Sequence, residues 1–142
     1  DKERFFPVLS DNLVSVDLYN YLIKGDDSSI IQLRDQDIIV IPPAVSKVKI
    51  DSAVINPGIY EIKNEEKIFD LIKYAGGATY NSSGKVNIKR INSKNIKNDG
   101  LAFQGFYTEL DSTKRIKALN GDRVTILPLL FEENGVEIIG QV

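Results

Sequence analysis

The stretch Val48-Lys49-Ile50-Asp51-Ser52-Ala53-Val54-Ile55-Asn56-Pro57-Gly58-Ile59-Tyr60-Glu61-Ile62, followed by Ile68-Phe69-Asp70-Leu71-Ile72-Lys73-Tyr74-Ala75-Gly76-Gly77, decides the fold. From Val48 to Val54 apolar side chains alternate with others, and Ile59 to Ile62 resumes in extended style, so the spacing predicts a β-hairpin. Asn56-Pro57-Gly58 supplies its turn: Pro57 presets the first central position, and Gly58 is expected to take the positive φ of a type II turn. From Glu65 onwards the period becomes helical. Ile68, Leu71, Ile72 and Ala75 fall at i, i+3, i+4 and i+7, one apolar stripe of a helix about ten residues long. Asn64 is the expected N-cap, and Gly76 or Gly77 the left-handed stop.

Three extended segments follow: residues 85–91, with Val86, Ile88 and Arg90 alternating; residues 102–110, rich in aromatics; and residues 123–127, after the Asn120-Gly121-Asp122 turn. Asn92 to Gly100 has the polar composition of a loop. The order β-β-α-β-β-β, with sheet on one side of a single helix, predicts an α+β fold of the β-grasp kind, a mixed sheet curled round one helix. The grasp is expected over residues 45–130.

Parts of this pattern occur twice. Asp35-Gln36-Asp37-Ile38-Ile39-Val40-Ile41-Pro42 resembles Asn120-Gly121-Asp122-Arg123-Val124-Thr125-Ile126-Leu127-Pro128, with a one-residue slip near the proline. Each is followed by one pattern, Val48-Lys49-Ile50 with Val54 and Val136-Glu137-Ile138 with Val142. A period of about 85 to 88 residues is one grasp module long. Residues 1–44, including a helix-like segment from Asp17 to Lys24 with Leu18, Tyr21 and Leu22, are then expected to be the back of a preceding module. Residues 131–142 are expected to open a following one.

Composition narrows the chemistry. Eighteen Lys and Arg against twenty Asp and Glu leave a formal charge of -2, so no basic field exists to hold nucleic acid. His, Cys, Met and Trp are absent, which removes disulfides, thiol chemistry, most zinc and iron ligation and the commonest general base. No metal site, cofactor or catalytic residue is expected. Asp35 with Asp37, and Glu132 with Glu133, are carboxylate pairs in sequence, but glycosidase chemistry needs two carboxylates across one cleft.

Val16-Asp17-Leu18-Tyr19 with Leu22 to Asp26, Leu33 to Pro43, the hairpin, Asp70-Leu71-Ile72 with Ala75-Gly76-Gly77, and Asn120-Gly121-Asp122 to Val124 together touch most of the chain. On these residues the chain resembles the SLBB family, the soluble-ligand-binding β-grasp, in the form found in bacterial outer-membrane polysaccharide export proteins. The family's hairpin strand usually carries a Gly where Ser52-Ala53 stand here. The resemblance implies a non-catalytic periplasmic segment of an outer-membrane-associated capsule or exopolysaccharide exporter. It implies a homo-oligomeric channel wall and contact with the polysaccharide or with the inner-membrane polysaccharide copolymerase. Two other readings remain open: a single module presenting a small ligand to an enzyme complex, and a cytosolic ubiquitin-like scaffold.

Candidate contacts carry two readings each. Gly76, Gly77, Thr79, Tyr80 and Asn81 offer backbone N–H groups and an aromatic hydroxyl to a sugar, or are a helix stop and loop. Tyr60, Tyr74, Phe103, Phe106 and Tyr107 stack on sugar rings, or fill a core. Lys85, Lys89, Arg90, Lys94 and Lys97 meet an acidic polymer, or guard a strand edge. Asn56, Pro57, Gly58, Asp37 and Asp122 are expected to be structural.

Overall fold

The computed structural model describes residues 14–28, 30–91 and 103–130. The expectations for Asn92 to Gly100, for Glu132 and Glu133, and for Val136 to Val142 lie outside the described residues. Helix α1 (Leu18–Lys24) precedes a unit made of β1 (Lys47–Ser52), β2 (Gly58–Glu61), α2 (Ile68–Tyr74), β3 (Ser82–Ile91), β4 (Phe103–Glu109) and β5 (Arg123–Pro128). The fold is α+β. Its five strands form one open mixed sheet in the order β2-β1-β5-β3-β4, antiparallel except where β1 and β5 run parallel.

The core lies on one face of that sheet. Val48, Ile50, Val86, Ile88, Val124 and Ile126 are buried every second residue, as strand geometry requires, against Ile68, Leu71, Ile72 and Ala75 of the helix stripe. Among the described residues no helix is long and apolar enough to cross a membrane.

The hairpin is present, but its turn differs from expectation. Gly58 has no positive φ; it is the first residue of β2 and pairs with Ile50. The chain bends earlier, at Ser52 with φ 71°, and Ala53 to Asn56 then run beside the end of α2. Ile55 N–H donates to Gly77 C=O at 3.0 Å and Asn56 N–H to Ala75 C=O at 2.8 Å. A loop held by a neighbouring loop needs no tight two-residue turn of its own.

Helix α2 is also shorter than expected and begins later. Asn64 is not its N-cap: residues 64 and 65 form a turn with Glu65 at φ 73°, closed by Lys63 N–H donating to Glu66 Oε2 at 2.8 Å. The helix is capped from within, Lys67 N–H donating to Asp70 Oδ2 at 3.0 Å. Its end follows the expected glycines. Gly77 N–H donates to Ile72 C=O and Gly76 N–H to Lys73 C=O, the paired bonds of a Schellman stop, with both glycines left-handed at φ 87° and 85°.

Helix α1 is capped by Asp17, whose carboxylate accepts the Tyr19 N–H at 3.0 Å and pairs with Lys63. Its contact face is Tyr19 and Ile23, whereas Tyr21 and Leu22 of the expected stripe are exposed. Tyr19 is fully buried among Tyr60 and Tyr74 with edge-to-face rings, and its hydroxyl accepts the Glu61 N–H at 2.9 Å. α1 therefore docks on the same core as α2.

Candidate functional site

Because the inward positions of the strands are fixed, the outward ones are too. Lys49 stands beside Arg123, and Arg123 beside Lys89, on three adjacent strands. Strands lie about 4.8 Å apart, so three cations form a row about 10 Å wide on the outer face. Like charges placed side by side destabilise a sheet. Asp51 offsets part of this, its Oδ2 accepting Arg123 Nε at 2.9 Å and its Oδ1 the Thr125 hydroxyl at 2.7 Å. Lys49 and Lys89 remain exposed.

The row ends at Gly105 on the edge strand β4, directly beside Lys89. A Cβ on Gly105 would lie 3.6 Å from Lys89 Cγ, so the lysine stem covers the glycine. Phe103 and Tyr107 flank Gly105 on the same face, 58% and 72% exposed. Two aromatic side chains four residues apart, about 14 Å along the strand, thus stand on either side of an ammonium group. Apolar ring faces with a cation between them can hold an anionic chain that has apolar surfaces of its own.

The structure divides the residues expected to bind a ligand. Gly76 and Gly77 serve the helix stop, and a Cβ on Gly76 would meet Ile55 Cβ at 2.9 Å. Beyond them, Thr79 N–H donates to Ala53 C=O, its hydroxyl bonds Asn81 Oδ1 at 2.5 Å, and Tyr80 projects almost wholly into solvent. This loop, with Asn56, Pro57 and Gly58, sits at the Pro128 end of the sheet, where Ser82 pairs with Pro128. Lys89 pairs with Arg123 seven residues further along β3, about 20 Å away.

Arg90 points inward. Its Nε and Nη2 donate to Asp122 Oδ1 and Oδ2 at 2.9 and 2.8 Å, and Nη2 also to Lys117 C=O. Asp122 is 1% exposed and further accepts the Leu119 N–H at 2.9 Å. This bidentate pair ties β3 to the turn before β5. Asp37 closes a similar turn, accepting the Arg34 N–H at 2.7 Å.

The aromatics divide likewise. Tyr60 and Tyr74 are core residues and Phe106 packs against the core, leaving Phe103 and Tyr107 outside. Burial pushes the Tyr60 phenol above its ordinary value, and its hydroxyl donates to Asn56 C=O at 2.7 Å. Lys49 and Arg123 were not among the sequence candidates. Each precedes an inward apolar residue, which marks it as outward, but their adjacency depends on the parallel pairing of β1 with β5.

No protein-family model matches this chain, and no curated protein matches it.

Proposed function

We propose that the chain is a non-catalytic, periplasmic segment of a polysaccharide export protein, built from tandem β-grasp modules of the SLBB kind. The observation that carries this reading is the strand order β2-β1-β5-β3-β4 with α2 across one face, preceded by a second copy of the turn that leads into β5. A mixed sheet with a helix across one face is compatible with the grasp arrangement, and a duplicated lead-in one module earlier is what a tandem array requires.

In this reading the modules build the wall of a homo-oligomeric channel associated with the outer membrane, and the inner-membrane copolymerase is a partner. The row Lys49, Arg123, Lys89 with Phe103 and Tyr107 is the face offered to an acidic glycan. Exposed Tyr80, with half-buried Thr79 and Asn81 beside it, is a second candidate contact at the opposite end. Deleting the gene in its host, then restoring it intact or as Lys49→Glu with Lys89→Glu, tests this. Loss of surface polysaccharide on deletion, rescued by the intact gene and only weakly by the double variant, is the expected result. Unchanged surface polysaccharide on deletion overturns the reading.

A further inference from the structure

We infer that Asn87 is the sugar-reading residue of the outer sheet face: its side-chain amide bonds the ring hydroxyls of one hexuronate unit, which lies on Tyr107 with its carboxylate toward Lys89. The inference rests on the acidic-glycan reading above. It adds the ligand unit, its orientation and the residue that separates it from other anions.

The burial of Asn87 is out of keeping with its place in the sheet. Val86 and Ile88 are fully buried in the core, so Asn87 between them faces the other side, together with Lys85 and Lys89. It is nevertheless only 8% exposed. Lys85 and Lys89 are exposed, and Tyr107, directly beside Asn87 on β4, stands out into solvent. The amide therefore lies low among longer side chains.

An asparagine amide carries two N–H donors and a carbonyl acceptor. Among the described residues this one has no hydrogen-bond partner for its side chain. A buried polar group left unpaired is destabilising, and an apolar side chain would fill the same position without that penalty. Its neighbours do not satisfy it. Thr125, beside Asn87 on β5, donates its hydroxyl the other way, to Asp51 Oδ1 on β1 at 2.7 Å, and Asp51 Oδ2 accepts Arg123 Nε at 2.9 Å. The Asp51 charge is thus matched within the face, and the Asn87 amide is left for an outside partner.

The recess presents an amide, an aromatic ring and a cation in fixed order. Tyr107 stands about 5 Å from Asn87 across the ladder, and Lys89 about 7 Å along β3. A hexuronate carries the three counterparts: adjacent hydroxyls, an apolar ring face, and a carboxylate across the ring from those hydroxyls. Charge sets its direction. Lys89 has Arg123 beside it, whereas Lys85 has Glu109 beside it. The carboxylate is favoured at the Lys89 end and opposed at the Glu109 end. A polyanion without hydroxyls would use the lysines and gain nothing from Asn87.

NMR titration of the full chain with trigalacturonate, triglucuronate and trimannuronate tests this, with polyacrylate as a polyanion lacking rings and hydroxyls. At least one trisaccharide is expected to shift the Asn87 side-chain amide resonance. Asn87→Ala is expected to weaken binding of that trisaccharide about tenfold and of polyacrylate less than about twofold, while Lys89→Gln weakens both. Asn87→Val, which favours a strand and lacks the amide, is expected to weaken trisaccharide binding equally without lowering the thermal midpoint, so that loss of fold is not the cause. Binding of none of the three trisaccharides, or an equal effect of Asn87→Ala on trisaccharide and polyacrylate, overturns the inference. Asn87-dependent binding with surface polysaccharide unchanged on gene deletion keeps this site and removes the exporter reading. Polysaccharide lost on deletion, with no Asn87-dependent binding, does the reverse.

Discussion

Asp37 and Asp122, 85 positions apart, close the same turn: each Oδ2 accepts the backbone N–H three residues earlier, and each N–H returns to that residue's carbonyl. Their surroundings differ. Asp122 is buried and clamps Arg90, whereas Asp37 is exposed.

That difference sets unequal costs. Asp122→Ala is expected to destabilise the chain by about 2–4 kcal/mol, because it strands the Arg90 guanidinium; the 27% exposure of Arg90 keeps the loss below that of a fully buried pair. Asp37→Ala is expected to lose less than about 1 kcal/mol in the monomer. Urea unfolding at low protein concentration measures both, and equal losses would contradict the account.

Gly76 and Gly77 share a left-handed conformation but not their surroundings. Gly77→Ala has open space and should lose only the backbone term, about 1–2 kcal/mol. Gly76→Ala adds the collision with Ile55 Cβ and should lose about 1–3 kcal/mol more. A reversed order in denaturant midpoints would show that the Ile55 loop does not pack on the helix stop.

Tyr19 joins α1 to the sheet. Tyr19→Phe keeps the ring contacts with Tyr60 and Tyr74 but leaves the Glu61 N–H without that acceptor, a loss of about 1–3 kcal/mol. Tyr19→Ala should lose about 3–5 kcal/mol. Both variants being neutral would mean that α1 does not belong to this core.

Tyr60 predicts an alkaline limit. Its folded pKa is raised by burial, so the folded state holds the phenol proton more tightly than the unfolded chain does. The stabilisation is complete below the unfolded value of about 10 and is lost as pH rises through the folded one. Tyr60→Phe should flatten the fall in stability above about pH 10, read from thermal midpoints across the alkaline range. An unchanged slope would contradict this.

The cation row should show opposite effects on stability and binding. Lys89→Gln relieves a like-charge neighbour and is expected to be neutral or to raise stability by up to about 1 kcal/mol. The same change, combined with Lys49→Gln, should weaken binding of polygalacturonate about tenfold, and salt should weaken binding by the intact chain. Neutral dextran serves as the control. Equal binding of both polymers by intact and variant chains would remove this face from the proposal.

The hairpin, the helix stripe and the glycine stop were legible because they depend on local periodicity: Val48 and Ile50 at period two, Ile68, Leu71 and Ile72 at the helical one, and Gly76-Gly77 at positive φ. Gly58 misled because loop contacts, not turn chemistry, bend the chain there, and the positive φ moved to Ser52. Tyr19 gave no sign of burial because it sits beside Leu18, Tyr21 and Leu22, any of which could have formed the inward face, and its partners lie more than forty positions away. The cation row was hidden for a related reason. Lys49 and Arg123 become neighbours only through a parallel pairing that no local pattern encodes.

Residue-resolved amide hydrogen exchange on the monomeric chain tests most directly whether residues 34–43 belong to a module other than the one spanning 47–128. Amides of β1, β5, β3 and α2 are expected to exchange only on global opening, while Ile38 to Ile41 exchange at nearly unfolded rates. Protection of Ile38 to Ile41 in the monomer, equal to that of Val124 and Ile126, would contradict it.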